Sequence, residues 1–164
     1  MRRPVNIKRS WAPDPVYNSI AVTRFINMLM KGGEKAVAQK VFYKAMEEVG
    51  TRTNDDPIKT FHAALKNTAP TQEVVARRVG GATYQIPRPV RGERRFSKAV
   101  KWLIISTRNK KGKATYLKLA DEFLAAANNE GESVKKKEEV HKAAESNRAF
   151  AHFAWWGRKG RMRH

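Results

Sequence analysis

Residues 73–95, EVVARRVGGATYQIPRPVRGERR, differ in rhythm from the rest of the chain. Residues 73–79 and 82–86 are rich in β-branched side chains, and only Gly80 and Gly81 separate them. Two linking glycines supply the positive φ that a tight hairpin turn demands. The stretch therefore reads as a β-ribbon, spanning about residues 73–90, inside a chain whose other apolar periodicity is helical. Glycine-rich turns can also cradle phosphate, but such a loop should feed a helix, and here a second strand follows.

Working outward, Phe96, Val100, Leu103 and Thr107 mark the helix after the ribbon, with Lys98, Lys101 and Arg108 on its solvent side and Lys110-Lys111-Gly112-Lys113 closing it. Leu117, Ala120, Leu124 and Ala127 form the face of a fifth helix, which stops at Asn128, Asn129 and Gly131. Ser133 is the expected cap of a sixth helix running to about residue 149, with the pair Glu138 and Lys142 in favourable order. Val140, Ala143 and Ala144 read as packing, and so does Phe150; Trp155 and Trp156 stay open between packing and base stacking.

Upstream of the ribbon, Asp56-Pro57 starts a short third helix, with an acid at the cap and proline at the first helical position. Ile58, Phe61 and Leu65 give its apolar face, and Pro70 ends it. Ala38, Val41, Phe42, Ala45, Met46 and Val49 define a second helix expected to stop at Gly50, and Val22, Phe25, Ile26 and Leu29 a first helix capped by Asn18 or Ser19 and ending at Gly32-Gly33. Pro4, Pro13 and Pro15 keep residues 1–16 extended. The expectation is a mainly α, single-domain bundle of about six helices, with one protruding β-hairpin between helices three and four and basic extended termini. A basic arm (1–16) precedes the helical domain (17–150), and a basic aromatic tail (151–164) follows it, mobile when unbound.

The 164 residues carry 34 Lys and Arg against 15 acids, a net charge of +19. That excess exceeds what solubility requires and calls for a polyanion. Its distribution matters more than its size, because evenly spread lysine is an ordinary solvated surface. Residues 1–10 hold Arg2, Arg3, Lys8 and Arg9 and no acid, residues 77–113 hold twelve bases and only Glu93, and residues 148–164 hold five bases and no acid. The remainder nets −1. The charge is concentrated in two arms and one central stretch.

In that stretch the cations are mostly arginine: Arg77, Arg78, Arg88, Arg91, Arg94 and Arg95, with Tyr84 on the second strand. The guanidinium is a flat fork that grips phosphate oxygens in pairs and stacks on bases. An edge hairpin guarded against aggregation also carries charge, but would not need this arginine bias. Arg77 and Arg78 face opposite sides of a strand, so the ribbon can offer one face to RNA and the other to the body. Gly32-Gly33-Glu34-Lys35 reads equally as a phosphate-binding connection or a tight interhelical turn.

Other chemistry finds little support. The chain has no cysteine, which excludes disulfides and thiolate metal sites. His62, His141, His152 and His164 lack metal-ligand spacing, and no cofactor motif occurs. The adjacent acids Glu47-Glu48, Asp55-Asp56, Asp121-Glu122 and Glu138-Glu139 read as solvated faces, not catalytic pairs. No apolar run approaches the roughly 18 residues needed to span a bilayer. The N-terminal MRRPVNIKRSWAPDP lacks the core of a secretory signal, and its prolines disfavour an amphipathic presequence. A soluble, non-enzymatic protein is expected.

Three blocks carry a resemblance: NMLMKGGEKAVAQKVFYKAM at 27–46, ALKNTAPTQEVVARRVGGATYQIP at 64–87, and VKKKEEVHKAAESNRAFAHFAW at 134–155. Together they resemble the small-subunit ribosomal protein seven family, in its bacterial or organellar form. The resemblance implies a helical body with a ribbon that binds the three-prime major (head) domain of small-subunit rRNA, nucleates head assembly and lies near exit-site tRNA and the mRNA path, beside neighbouring small-subunit proteins. It implies a cytoplasmic or organellar ribosome as the location. It assigns RNA contact to Arg2, Arg3, Lys8, Arg9, Lys35, Arg77, Arg78, Arg91, Arg94, Arg95 and Lys113. Tyr84, Arg88, Lys101, Arg108, Lys110 and Lys111 join them from the charge pattern. The chain departs from the family at Arg88-Pro89, where many members have a small apolar residue and an acid, and at Thr115-Tyr116, where many have Met after the loop lysine.

A helical regulator binding DNA or mRNA is the competing class. It would concentrate specificity on one recognition helix, whereas this charge spans a ribbon, a loop and two arms, as suits folded RNA.

Overall fold

The computed structural model describes residues 10–154. Arg2, Arg3, Lys8, Arg9, Trp155, Trp156 and the basic tail lie outside the described residues. Within them the chain forms α1 (Ile20–Leu29), α2 (Lys35–Thr53), α3 (Pro57–Thr68), β1 (Gln72–Val79), β2 (Ala82–Pro89), α4 (Gly92–Asn109), α5 (Thr115–Ala127) and α6 (Glu132–Ser146), followed by a 3-10 turn at Arg148–Ala154. The fold is mainly helical with one antiparallel hairpin between α3 and α4, as the sequence led us to expect.

The core is aromatic at its centre. Phe25 of α1, Phe42 of α2, Phe61 of α3 and Phe123 of α5 are fully buried. Every pair among them lies 5.4 to 6.3 Å between ring centroids, mostly edge to face or tilted. Such geometry lets the positive edge of one ring meet the negative face of another. Val22, Ile26, Ala45, Met46 and Val49 flank the rings at helical spacing, and Val100, Leu103 and Leu119 extend the core to α4 and α5.

Helix ends follow local chemistry, in places against expectation. Asp56 caps α3 as read, its Oδ1 accepting the Ile58 N–H at 3.0 Å, with Pro57 at the first helical position. Gly50 does not end α2. The helix runs to Thr53 because Arg52 pairs with Glu48 and Asp121, and the left-handed residue that stops it is Asn54, at φ 51°. α1 likewise ends at Leu29, before the Gly32-Gly33 pair, and Arg108 donates to the Leu29 carbonyl at 3.1 Å. The buried stripe of α5 is Leu119, Ala120, Phe123 and Ala126; of the expected face Ala120 lies in it, and Leu117, Leu124 and Ala127 are half-buried at its margin.

Two corrections concern acids and caps. Glu122, read as part of a solvated face, is fully buried. Its Oε1 accepts the Ser133 N–H at 3.0 Å, so α6 is capped by a carboxylate from α5 and not by the Ser133 hydroxyl. Lys110 Nζ lies 2.6 Å from Glu122 Oε2 and supplies the counter-charge that a buried carboxylate needs. Gly131 stands where the chain passes this carboxylate: its φ is +94°, and an added Cβ would sit 3.1 Å from Glu122 Oε1. α6 stops at Ser146, short of the expected residue 149, because the chain tightens into the 3-10 turn that carries Phe150 to the ribbon.

The aromatic centre should dominate stability. Phe61→Ala should cost about 3–5 kcal/mol, whereas Ile105→Ala on the surface should stay within ~0.5 kcal/mol in urea unfolding. Equal losses would mean that the cluster is not the core.

Candidate RNA interface

The ribbon register pairs Arg77 with Tyr84 and Arg78 with Thr83, with Gly80 at φ 57° and Gly81 at φ 92° in the turn. Both glycines thus take the conformation that the two-residue link demands. The two arginines separate as strand geometry requires. Arg78 is exposed. Arg77 is half-buried and donates through Nη1 toward the carbonyls of Phe153 and Ala154, both at 3.5 Å. Beside it, Tyr84 packs between Phe150 and Phe153, at 5.2 and 5.3 Å between ring centroids. One face of the ribbon therefore holds the C-terminal turn, and the other is open.

The ribbon root is fixed by polar contacts. Glu73 is 2% exposed and directly opposite Arg88. It receives Arg94 Nε at 2.9 Å and Lys98 Nζ at 2.6 Å. Burial works against its ionisation, but the bonds from Lys98 and Arg94 outweigh it and hold the carboxyl below its usual range. The Thr71 N–H donates to His141 Nε2 at 3.0 Å, which ties the start of the ribbon to α6. That bond requires a neutral ring protonated on Nδ1.

The other site residues divide by what they touch. Arg91 just before α4, Lys101 on α4, Arg88 on the ribbon, Lys111 in the loop and Lys35 at the start of α2 are exposed. Arg95 is half-buried, and its Nε has no hydrogen-bond partner among the described residues. Lys113 is exposed but pairs with Asp121 at 3.3 Å. Asp121 also receives Arg52 at 2.6 Å. Arg108 holds the end of α1 and Lys110 holds Glu122, so both anchor structure. Because Arg108 joins the ends of α1 and α4, Lys35 and the 110–113 loop share one end of the bundle.

Three residues of this surface escaped the sequence reading. Arg24 of α1 lies 4.4 Å over the Phe96 ring. Together with Arg94, Ser97, Lys98, Lys101, Trp102 and Ile105 it lines an open groove of about 560 Å³ between α1 and α4. In the sequence Lys98 is only a solvent-facing lysine, and Arg24 and Trp102 carry no signal because each is isolated in an otherwise apolar helical pattern. At the arm's root Asp14 is buried, accepting the Val16 and Tyr17 N–H groups and the Tyr43 hydroxyl at 2.8 Å. Burial and that bond push the Tyr43 hydroxyl up to about 12. Asp14 and Tyr43 thus fix the point from which the arm departs.

A helical body that displays cations on a ribbon, one helix face and a loop is a nucleic-acid-binding architecture. The described residues contain no helix long and apolar enough to cross a membrane. The model of the family described as ribosomal protein S7p/S5e matches residues 1–148. The chain is 48% identical over 155 residues to the small ribosomal subunit protein uS7 of Petrotoga mobilis, covering 94% of this chain and all of that one. It is 50% identical over 148 residues to the proteins of the same name from Lawsonia intracellularis and Natranaerobius thermophilus, covering 90% of this chain and 95% of each. The chain belongs to the S7p/S5e family of ribosomal proteins, whose members are structural components and not enzymes.

The ribbon root should respond to acid. Burial first, then the charges of Lys137 and Arg95, holds His141 below its ordinary 6.5. The fold thus favours the neutral ring, a contribution complete above pH 6.5 and lost as pH falls through the lowered value. NMR titration should find His141 below 6.5, with Thr71 amide exchange quickening on its protonation. A value at or above 6.5 would show that the ring does not anchor the ribbon.

Proposed function

We propose that the chain is a structural constituent of the small ribosomal subunit that binds the three-prime major domain of its rRNA, organises the subunit head and lies near exit-site tRNA and mRNA. The observation that carries this reading is the division among the cations. Glu73, Glu122 and Asp121 hold Arg94, Lys98, Lys110 and Lys113 to the body, which leaves Arg78, Arg88, Arg91, Lys101 and Lys111 exposed along the ribbon, α4 and the loop. Exposed cations on separate rigid elements suit a folded RNA, whose phosphates approach from several directions. In this reading the bases of residues 1–16 and 151–164 add to the charge available for RNA, and family membership supplies the ribosome as its setting.

Each neutralised phosphate adds roughly −0.7 to −0.9 to the slope of log affinity against log salt. With ~6 phosphate contacts, affinity for a transcript of the head domain should fall by about three decades between about 50 and 200 mM salt. A flat response would overturn the electrostatic account. Arg78→Ala should weaken binding with an unchanged circular dichroism spectrum. Arg77→Ala should also loosen the C-terminal turn, seen as earlier proteolysis after Phe150. Full affinity in Arg78→Ala would remove the ribbon's open face as a contact.

A further inference from the structure

We propose that the groove between α1 and α4 is a pocket for a single unpaired RNA base. The inference rests on reading the chain as an rRNA-binding protein and names what this part of it recognises. At about 560 Å³ the open groove has room for a base. Its lining comes from one stripe of α4 (Arg94, Ser97, Lys98, Lys101, Trp102 and Ile105), turned away from the buried stripe of Val100, Leu103 and Thr107. Arg24 and Glu93 complete it.

The wall is apolar where a base would lie. Ile105 is 52% exposed, and Trp102 is only half-buried beside it. Solvent-facing tryptophan and isoleucine do nothing for phosphate contact, but they offer a flat surface to a base. The cations around it divide in two. Glu73 holds both Arg94 and Lys98, so they form a fixed side that keeps one net positive charge. Arg24 and Lys101 form no ion pair among the described residues, which leaves them to meet the phosphates flanking the base. The Phe96 ring holds the Arg24 guanidinium in place at 4.4 Å.

Charge excludes an apolar ligand, and the apolar wall excludes a site for phosphate alone. A base inside a duplex hides both faces in its stack, so a paired strand could use only the cations. The groove therefore suits a base that has left its helix, stacked on Trp102 with its phosphates toward Arg24 and Lys101.

The test compares a head-domain transcript with a fully paired RNA duplex. Trp102→Ala in the full chain should lose roughly five- to 150-fold in affinity for the transcript, with its salt slope unchanged and duplex binding intact. Trp102→Phe, which keeps a stacking ring, should recover most of the loss. Lys101→Ala should also weaken binding but make the slope shallower by about one. With Trp11, Trp155 and Trp156 replaced by Phe, Trp102 emission should be quenched by the transcript and not by the duplex. Wild-type transcript affinity in Trp102→Ala, equal losses on both RNAs, or unquenched emission at saturation would each overturn the pocket. In all three the wild-type chain still binds the transcript; failure of that binding would instead sink the rRNA reading.

Discussion

The mutual packing of Phe25, Phe42, Phe61 and Phe123 is the constraint on which the rest depends. One ring comes from each of four helices and each touches the other three, so no one of these helices can rotate or slide without breaking contacts to all the rest. The cluster fixes the axis of α3, and only three residues separate the end of that helix from β1. It also sets the axis of α5, whose buried stripe must put Phe123 at the centre. α4 lies against the same core through Val100 and Leu103, so its opposite face is turned outward as a unit. The functional surface is thus the outside of a body whose inside is locked by aromatic geometry.

Buried acids transmit that rigidity to the surface. A carboxylate taken out of water is tolerated only with close cations and hydrogen bonds. Glu73 meets the condition with Arg94 and Lys98, and in doing so joins the ribbon root to α4. Glu122 meets it with Lys110 and the Ser133 amide, joining α5 to the basic loop and to the start of α6. Removing either acid would leave cations without partners and an element without its anchor. These two residues do more to place the exposed basic groups than any single exposed arginine.

The sequence displayed what depends on local chemistry. The Gly80-Gly81 turn, the Asp56-Pro57 start and the apolar spacing of α2 are set by backbone preferences and periodicity, and each appears where the residues put it. What failed depends on partners distant in sequence. Glu122 looked like one of several solvated acid pairs, since Lys110 and Ser133 become its neighbours only after folding. Gly50 looked like a stop because a glycine often is one, yet the Arg52 pairing with Asp121, 69 residues away, carries α2 another turn. The face of α5 is offset from the expected one, with Ala120 common to both, because Leu117 and Leu124 offer the same spacing as Leu119, Phe123 and Ala126. The basic stretch was visible as composition, but which of its members stand free was not, nor was the groove that Arg24 completes from another helix.

That distinction changes what the charge means. Of the twelve cations in residues 77–113, Arg94, Lys98, Lys110 and Lys113 answer to carboxylates, and Arg77 and Arg108 donate to backbone carbonyls. A paired cation releases less when it meets a phosphate, because it must share or surrender a partner it already has. The remainder, Arg78, Arg88, Arg91, Arg95, Lys101 and Lys111, forms no ion pair among the described residues; it is half the nominal count and is spread over ribbon, helix and loop. Formal charge therefore overstates the electrostatic reach of this stretch while understating its order. Half of the cations tie the ribbon, helix and loop to the body, and those elements carry the other half; a surface built this way can discriminate the fold of an RNA where a flexible run of lysines would register only its charge.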